Sequence, residues 1–287
     1  MNCIEIDFFN KERIKFENVI GVGGYGVLYK VYSEQYKIFF AMKKIPEKLF
    51  NKLEVDCLIS IDNPNVVNLY KSYKSNGFIY LLLEYCPLDL DRLLHGNTLS
   101  NEELIKYTYQ MILGIKACHE NNVAHGDIKP SNFLIDKYGR IKVCDFGLSS
   151  YLNQESRMSN FRGTLLFIAP EILKQEEFCP VKADIWALGI TIYLMATQRY
   201  PYEGHTSEEV LKQIESKKIS LKHIKNEVIS NIISKCLQIK PNKRATINDL
   251  HKIISKEPCI IRNPRSTRRE KVLKNFVIRK QYHDVSC

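Results

Sequence analysis

His125-Gly126-Asp127-Ile128-Lys129-Pro130-Ser131-Asn132, followed by Asp145-Phe146-Gly147 and then Ala169-Pro170-Glu171, is the stretch on which the reading of this chain turns. An Asp with an Asn five residues later, and a second Asp 18 residues on beside Phe-Gly, suits phosphoryl transfer. That reaction needs a positioned acceptor and neutralisation of developing charge by a divalent metal more than it needs covalent chemistry. Hard oxygen ligands such as Asp145 and Asn132 suit Mg2+.

Outward from this stretch, the chain falls into two textures. Residues 14–44 are β-rich with glycine punctuation and predict three strands joined by turns. Two more strands are expected at 66–73 and 78–85, the second entered through the turn Ser75-Asn76-Gly77. Between them, Leu49, Leu53, Cys57 and Leu58 recur at helical spacing and predict a helix over 47–60. After Pro87 the pattern changes. Residues 101–121 form an amphipathic helix opened by Ser100 as cap, with Glu103 three residues later. Short apolar runs follow at 133–136 and 141–147, and helical patterns dominate from 181 to 255. A strand-rich first third and a helix-rich remainder meet near 84–88, an α+β organisation in two lobes.

Gly21, Gly23 and Gly26 form G-x-G-x-x-G between two strands. The dinucleotide-binding version of these letters opens a helix. Here Val27-Leu28-Tyr29-Lys30-Val31 continues as a strand, which favours a flap whose backbone N–H groups approach phosphate oxygens. Lys43 ends a strand, and Glu54, eleven positions on, is expected in the middle of the next helix. Such a pair can hold an ammonium against nucleotide phosphates, or it can be a solvated pair worth only about 0–1 kcal/mol.

Length, charge and cysteine usage bound the rest. At 287 residues the chain exceeds the size at which one core usually stops growing. The net charge of +10 is uneven. Residues 257–287 hold eight Lys/Arg against three Asp/Glu, and this basic tail reads first as a solvated end. It offers a surface to an acidic partner and does not point to nucleic acid. Nine cysteines without a Cys-x-x-Cys pair argue against a disulfide framework or zinc site and for reduced thiols in a cytoplasmic or nuclear setting. Met1-Asn2-Cys3-Ile4-Glu5 has no signal-peptide pattern. The longest largely apolar run, 185–196, is too short to span a bilayer and reads as a buried core helix.

The ordered set of motifs over residues 14–255 closely resembles the eukaryotic protein kinase family, serine/threonine type. That resemblance implies a bilobal fold, with a small antiparallel sheet plus one helix in the first lobe (14–84) and a mainly helical second lobe (88–256). An extension at 1–13 and the tail at 257–287 flank it. ATP and Mg2+ are the implied cofactors, and serine and threonine hydroxyls of proteins the implied acceptors. A nucleotide-binding scaffold without catalysis is the alternative. By resemblance, Gly21, Val22, Gly23, Gly24 and Gly26 belong to the glycine-rich loop, with Tyr25 near its tip. Leu28 and Ala41 line the adenine site. Lys43 contacts the α- and β-phosphates with Glu54 as its partner. Leu83 is the gatekeeper, Glu84 and Cys86 carry the hinge contacts, and Asp89 joins the nucleotide site. Asp127 receives or orients the acceptor proton, Lys129 stabilises the transferring group, Asn132 and Asp145 hold Mg2+, and Thr164 bonds the catalytic Asp.

Structural roles are implied as well. His125 stacks with Leu58, Leu69 and Phe146 in an apolar spine, Glu171 and Arg244 form a buried ion pair, and Asp184 tethers the catalytic-loop backbone. Cys144 is packing. The chain departs from the family at Gly126, where many members carry an arginine that binds a phosphorylated loop residue. Activity is therefore expected to depend little on phosphorylation at Ser156 or Ser159. The Lys43–Glu54 step is short, so the intervening connection must be trimmed or the helix must begin late. Ser131 and Leu194 stand where arginine-directed kinases often place glutamates, so no strong preference for upstream arginine is expected.

Overall fold

Tight turns and alternating strands build the first lobe. A computed structural model describes residues 3–24, 26–151, 164–217 and 219–261. Helix α1 (Cys3–Lys11) precedes strands β1 (Ile14–Gly23), β2 (Gly26–Ser33) and β3 (Ile38–Pro46). A short 3-10 turn, Glu47–Leu49, leads to α2 (Lys52–Ser60), and β4 (Leu69–Ser75) and β5 (Phe78–Glu84) follow. The five strands pair antiparallel in the order β1-β2-β3-β5-β4. The turn at Asn76-Gly77 places both residues at positive φ, as a tight hairpin requires.

The helix expected over 47–60 begins late. The extended backbone of Phe50 interrupts it, and Asn51 caps the segment by accepting from Leu53 N–H at 3.0 Å. Glu54 therefore sits in the first turn of α2, not in the middle of a longer helix. A carboxylate there also faces the positive end of the helix dipole.

The second lobe starts with β6 (Leu88–Asp89), α3 (Leu90–Leu94) and the long α4 (Asn101–Glu120). Ser100 and Glu103 close the expected capping box on α4. Short strands β7 (Val123–Ala124), β8 (Phe133–Ile135), β9 (Ile141–Val143) and β10 (Ser150–Tyr151) carry the loops between them. Helices α5 (Pro170–Leu173), α6 (Pro180–Thr197), α7 (Ser207–Ser216), α8 (Glu227–Cys236), α9 (Ile247–Ile254) and α10 (Pro258–Ile261) complete the described chain. The apolar run at 185–196 lies in α6, whose Ile185, Trp186, Leu188, Ile190 and Ile192 are all buried. Among the described residues no helix is long and apolar enough to cross a membrane. The basic tail beyond residue 261, Tyr25, Ser156 and Ser159 lie outside the described residues.

One core covers the outer face of the first lobe's sheet, and a larger one fills the second lobe and extends to Cys57, Leu58 and Ile61 of α2. In the first, Phe9, Ile14, Tyr29, Val31, Phe40, Met42, Tyr80 and Leu82 pack together on one face of the sheet. In the second, α4, α6 and α8 bury a larger cluster around Met111, Ile112, Trp186 and Ile232. Glu171 and Arg244 form the expected buried pair, with bidentate bonds of 2.6 and 2.5 Å. The remaining guanidinium donors reach the carbonyls of Gln238, Lys182 and Ile239. A buried charge pair is tolerable when its donors are all used in this way.

Candidate active site

Three side chains named from the sequence, Lys43, Glu54 and Asp145, converge between the lobes. Lys43, near the end of β3, reaches Glu54 Oε1 at 2.6 Å and Asp145 Oδ1 at 3.3 Å. The late start of α2 thus brings Glu54 to Lys43 despite the short spacing. One ammonium lies between two carboxylates, and their environments differ. Glu54 is buried, and burial, with the negative charge of Asp145 beside it, raises its pKa despite Lys43. Asp145 is half exposed; desolvation opposes its charge, but Lys43 foremost, with His125 and the Gly147 backbone N–H, holds the carboxyl below its ordinary value. Burial likewise disfavours the Lys43 ammonium, yet the two carboxylates raise its pKa overall. Lys43 is therefore a fixed positive charge, and Asp145 a fixed negative one.

The loop that carries Asp127 and Asn132 is tied to Asp145 through its backbone. Cys144 N–H donates to Asn132 C=O at 3.0 Å. Asn132 Nδ2 donates to Asp127 C=O at 2.7 Å and to Asp127 Oδ2 at 3.0 Å. Lys129 Nζ lies 2.7 Å from the same carboxylate oxygen and donates to Thr164 Oγ1 at 3.2 Å. The bond expected between Thr164 and the catalytic Asp is thus made to Lys129, which stands between them. The Asn132 amide nitrogen is spent on Asp127, which leaves its oxygen as the free ligand atom. Asp145 has φ +62, a left-handed conformation rare outside glycine. Such dihedrals persist where the surroundings over-determine them.

Deeper residues hold the loop. Asp184, on α6, accepts from the backbone N–H of His125 at 2.8 Å and of Gly126 at 2.9 Å, as expected. His125 Nε2 lies 2.9 Å from Cys144 C=O, and Asp127 N–H donates to His125 Nδ1. The ring is a bridging element of the loop and packs 5.2 Å from Phe146. Leu58 and Phe146 are buried in the same core, with Leu69 packed against it. Burial pushes the Cys144 thiol far above its ordinary pKa, so it is packing and not a nucleophile.

The glycine-rich loop and hinge frame the open side. A Cβ at Gly23 or Gly24 meets no atom within 4 Å, so this backbone borders free space. Gly26 differs: its φ is +151, and a Cβ there would lie 2.0 Å from the Lys44 carbonyl. Glycine is required for that close approach. Gly21 and Leu28 pair across the hairpin, Ala41 pairs with Leu83, and Val22 is largely exposed at the tip. Glu84 directs its carboxylate to Lys142 Nζ (2.8 Å) and Asn68 Nδ2 (2.9 Å), away from the backbone groups expected to make the hinge contacts. Burial raises the Cys86 thiol to about 12. Asp89 is engaged as the N-cap of α3, accepting from Arg92 N–H at 2.8 Å. Lys142, Asn68 and His119, whose Nε2 lies 2.9 Å from Asp184, escaped the sequence reading because no local pattern distinguishes them from surface residues.

An ionised carboxylate, a free amide oxygen and a fixed ammonium around one open space fit a divalent cation on a polyphosphate. Comparisons with known proteins point the same way. A family model described as "Protein kinase domain" matches residues 14–254. The 3-phosphoinositide-dependent protein kinase B of Dictyostelium discoideum is 30% identical over 250 residues, covering 82% of this chain and 27% of that protein. The probable serine/threonine-protein kinase MARK-C of the same organism is 32% identical, covering 69% of the chain and 26% of that protein. The serine/threonine-protein kinase RUNKEL of Arabidopsis thaliana is 34% identical, covering 69% and 15%. The chain spans less than a third of the length of each of these relatives.

Proposed function

Because the chain belongs to the protein kinase family, we propose that it transfers the γ-phosphoryl group of ATP to serine and threonine hydroxyls of protein substrates, with Mg2+. The observation that carries this reading is the continuous chain of contacts from Glu54 through Lys43 to Asp145, and from Asn132 to Asp127. Bound Mg2+-ATP supplies the phosphoryl group and the positive charge that neutralises it as it moves. Asn132 and Asp145 are the residues that would hold the metal. Lys43 orients the α- and β-phosphates, and the backbone of Gly21, Val22, Gly23 and Gly24 covers them. Glu84, Cys86, Leu83, Leu28, Ala41 and Asp89 form the nucleoside side of the site.

Asp127 orients the acceptor hydroxyl and takes its proton. Its second oxygen is already bonded to Lys129 and Asn132, which fixes the carboxylate plane toward the incoming group. Lys129 brings a positive charge beside the transferred group, and Thr164 holds that ammonium in place. The names of the relatives, and the Lys129–Thr164 contact, support serine and threonine as acceptors.

Phosphate transfer from labelled ATP to a generic protein substrate tests the reading. Asp127→Asn is expected to lose about 10²- to 10⁴-fold in rate while still binding nucleotide. Asp145→Asn is expected to weaken metal-dependent nucleotide binding instead. A wild-type chain that binds nucleotide and transfers nothing would be a scaffold, and the proposal would fall.

A further inference from the structure

The residues matched by the family model begin at 14, yet the first lobe is closed by a helix that precedes them. Phe9 on α1 is 2% exposed and belongs to the core of the sheet's outer face. Phe8 packs on Tyr80, with ring centroids 4.6 Å apart, and on Tyr73 at 5.4 Å. Between these rings and the strands lies a buried acid, Glu5, 5% exposed. Its Oε1 accepts from Tyr29 Oη and Tyr80 Oη, each at 3.3 Å, and lies 2.9 Å from Lys44 Nζ. A carboxylate is buried at high cost unless paired and hydrogen-bonded, and this one is supplied by three donors from three strands.

The position of Lys44 gives the cluster its consequence. Neighbouring residues of a strand point to opposite faces. Lys43 enters the cleft toward Glu54 and Asp145, and Lys44, next to it, enters the outer face toward Glu5. Lys44 is also held 4.2 Å over the Phe78 ring, and its carbonyl is the surface against which Gly26 closes. One residue of β3 thus joins α1, the glycine-rich hairpin and the cleft lysine. Burial and Glu5 together push the Tyr29 hydroxyl up to about 12, so the tyrosine stays a donor to the acid.

We propose that Glu5 is a positioning residue for Lys43: by fixing Lys44 it sets the register and height of β3, so α1 is part of the nucleotide site and not a dispensable extension. The inference rests on the kinase reading for the role of Lys43, and goes beyond it in assigning a function to a helix outside the matched family domain.

The test is a double-mutant cycle on the full chain, read by MgADP affinity in calorimetry. Glu5→Ala is expected to weaken MgADP about tenfold, within the range of interaction energies found between coupled residues. In a Lys43→Met background the same substitution is expected to change affinity by less than about twofold, because the group it positions is gone. An equal loss in both backgrounds, or none in either, would overturn the proposal and leave α1 a structural cap. Should Glu5→Ala fail to fold, Glu5→Gln and the pair Tyr29→Phe with Tyr80→Phe run through the same cycle. Wild-type chain that binds MgADP with the expected cycle but transfers no phosphate would sink the kinase reaction alone. Active chain with a flat cycle would sink this inference alone, and a wild-type chain that binds no MgADP would overturn both.

Discussion

Gly126 occupies a position between two constraints. Its backbone N–H is held by Asp184, and its φ is +80. A Cβ there would sit 2.5 Å from the Leu148 carbonyl oxygen. Gly126→Ala is expected to lower the melting temperature, since the left-handed backbone alone costs an L-residue about 1–2 kcal/mol. The same residue leaves the loop without a cation for a phosphorylated partner. Ser156→Ala with Ser159→Ala is therefore expected to keep wild-type transfer rates, and a collapse of activity in that variant would count against the idea. At this scale the sequence was most informative, because Lys43, Asp127, Asn132 and Asp145 are each specified by chemistry that few residue types supply. The partner of Thr164 was not legible. A hydroxyl has several acceptors and donors within reach, and only the placement of the Lys129 side chain decides among them.

Helix α2 is nine residues long and carries Glu54 in its first turn, so its N-cap bears on function. Short helices depend on their caps and on packing more than on propensity. Asn51→Ala is expected to cost about 0.5–2 kcal/mol, and part of that loss falls on the turn that holds Glu54. The predicted signature is a lower kcat/KM for ATP. Ser100→Ala removes the equivalent cap from the 20-residue α4, and is expected to lower the melting temperature with ATP kinetics unchanged. If the two variants differ only in stability, α2 is held by packing alone. The expected helix over 47–60 overruns the observed one because apolar spacing does not see a break: Leu49 continues the periodicity of Leu53 and Cys57 across the extended Phe50. The cap at Asn51 was the available signal, and it marks the true start. Helix α1 offered less. Its apolar residues Ile4, Ile6, Phe8 and Phe9 are crowded into too short a segment to define one face, and the pattern of a nine-residue helix cannot show that Glu5 is buried by strands far along the chain.

At the scale of the whole molecule, several buried thiols and phenols among the described residues are held protonated above their ordinary range. Cys118, Cys144 and Cys236 have thiols raised well above their ordinary range by burial, and Cys57 is pushed up to about 11. Tyr29, Tyr70, Tyr73, Tyr80 and Tyr202 are raised as well, burial being the leading cause at each. A group whose folded pKa lies above its unfolded value keeps its proton in the fold after the unfolded chain has lost it. Its contribution to stability is complete below the unfolded pKa and is lost as pH rises through the folded one. On the alkaline side, stability is thus expected to be level from about pH 7.5 to about pH 8.5, to fall first as thiols ionise in the unfolded chain, and to fall more steeply above about pH 10 as tyrosines join them. Each thiol withheld from ionisation adds a slope of about 1.4 kcal/mol per pH unit between its two pKa values. Urea unfolding from pH 8 to 10 measures this directly. Cys236→Ala should lower stability by a pH-independent cavity cost and make the slope shallower by one proton. A parallel curve, offset but no shallower, would mean that Cys236 ionises equally in both states and that burial does not govern the alkaline limb.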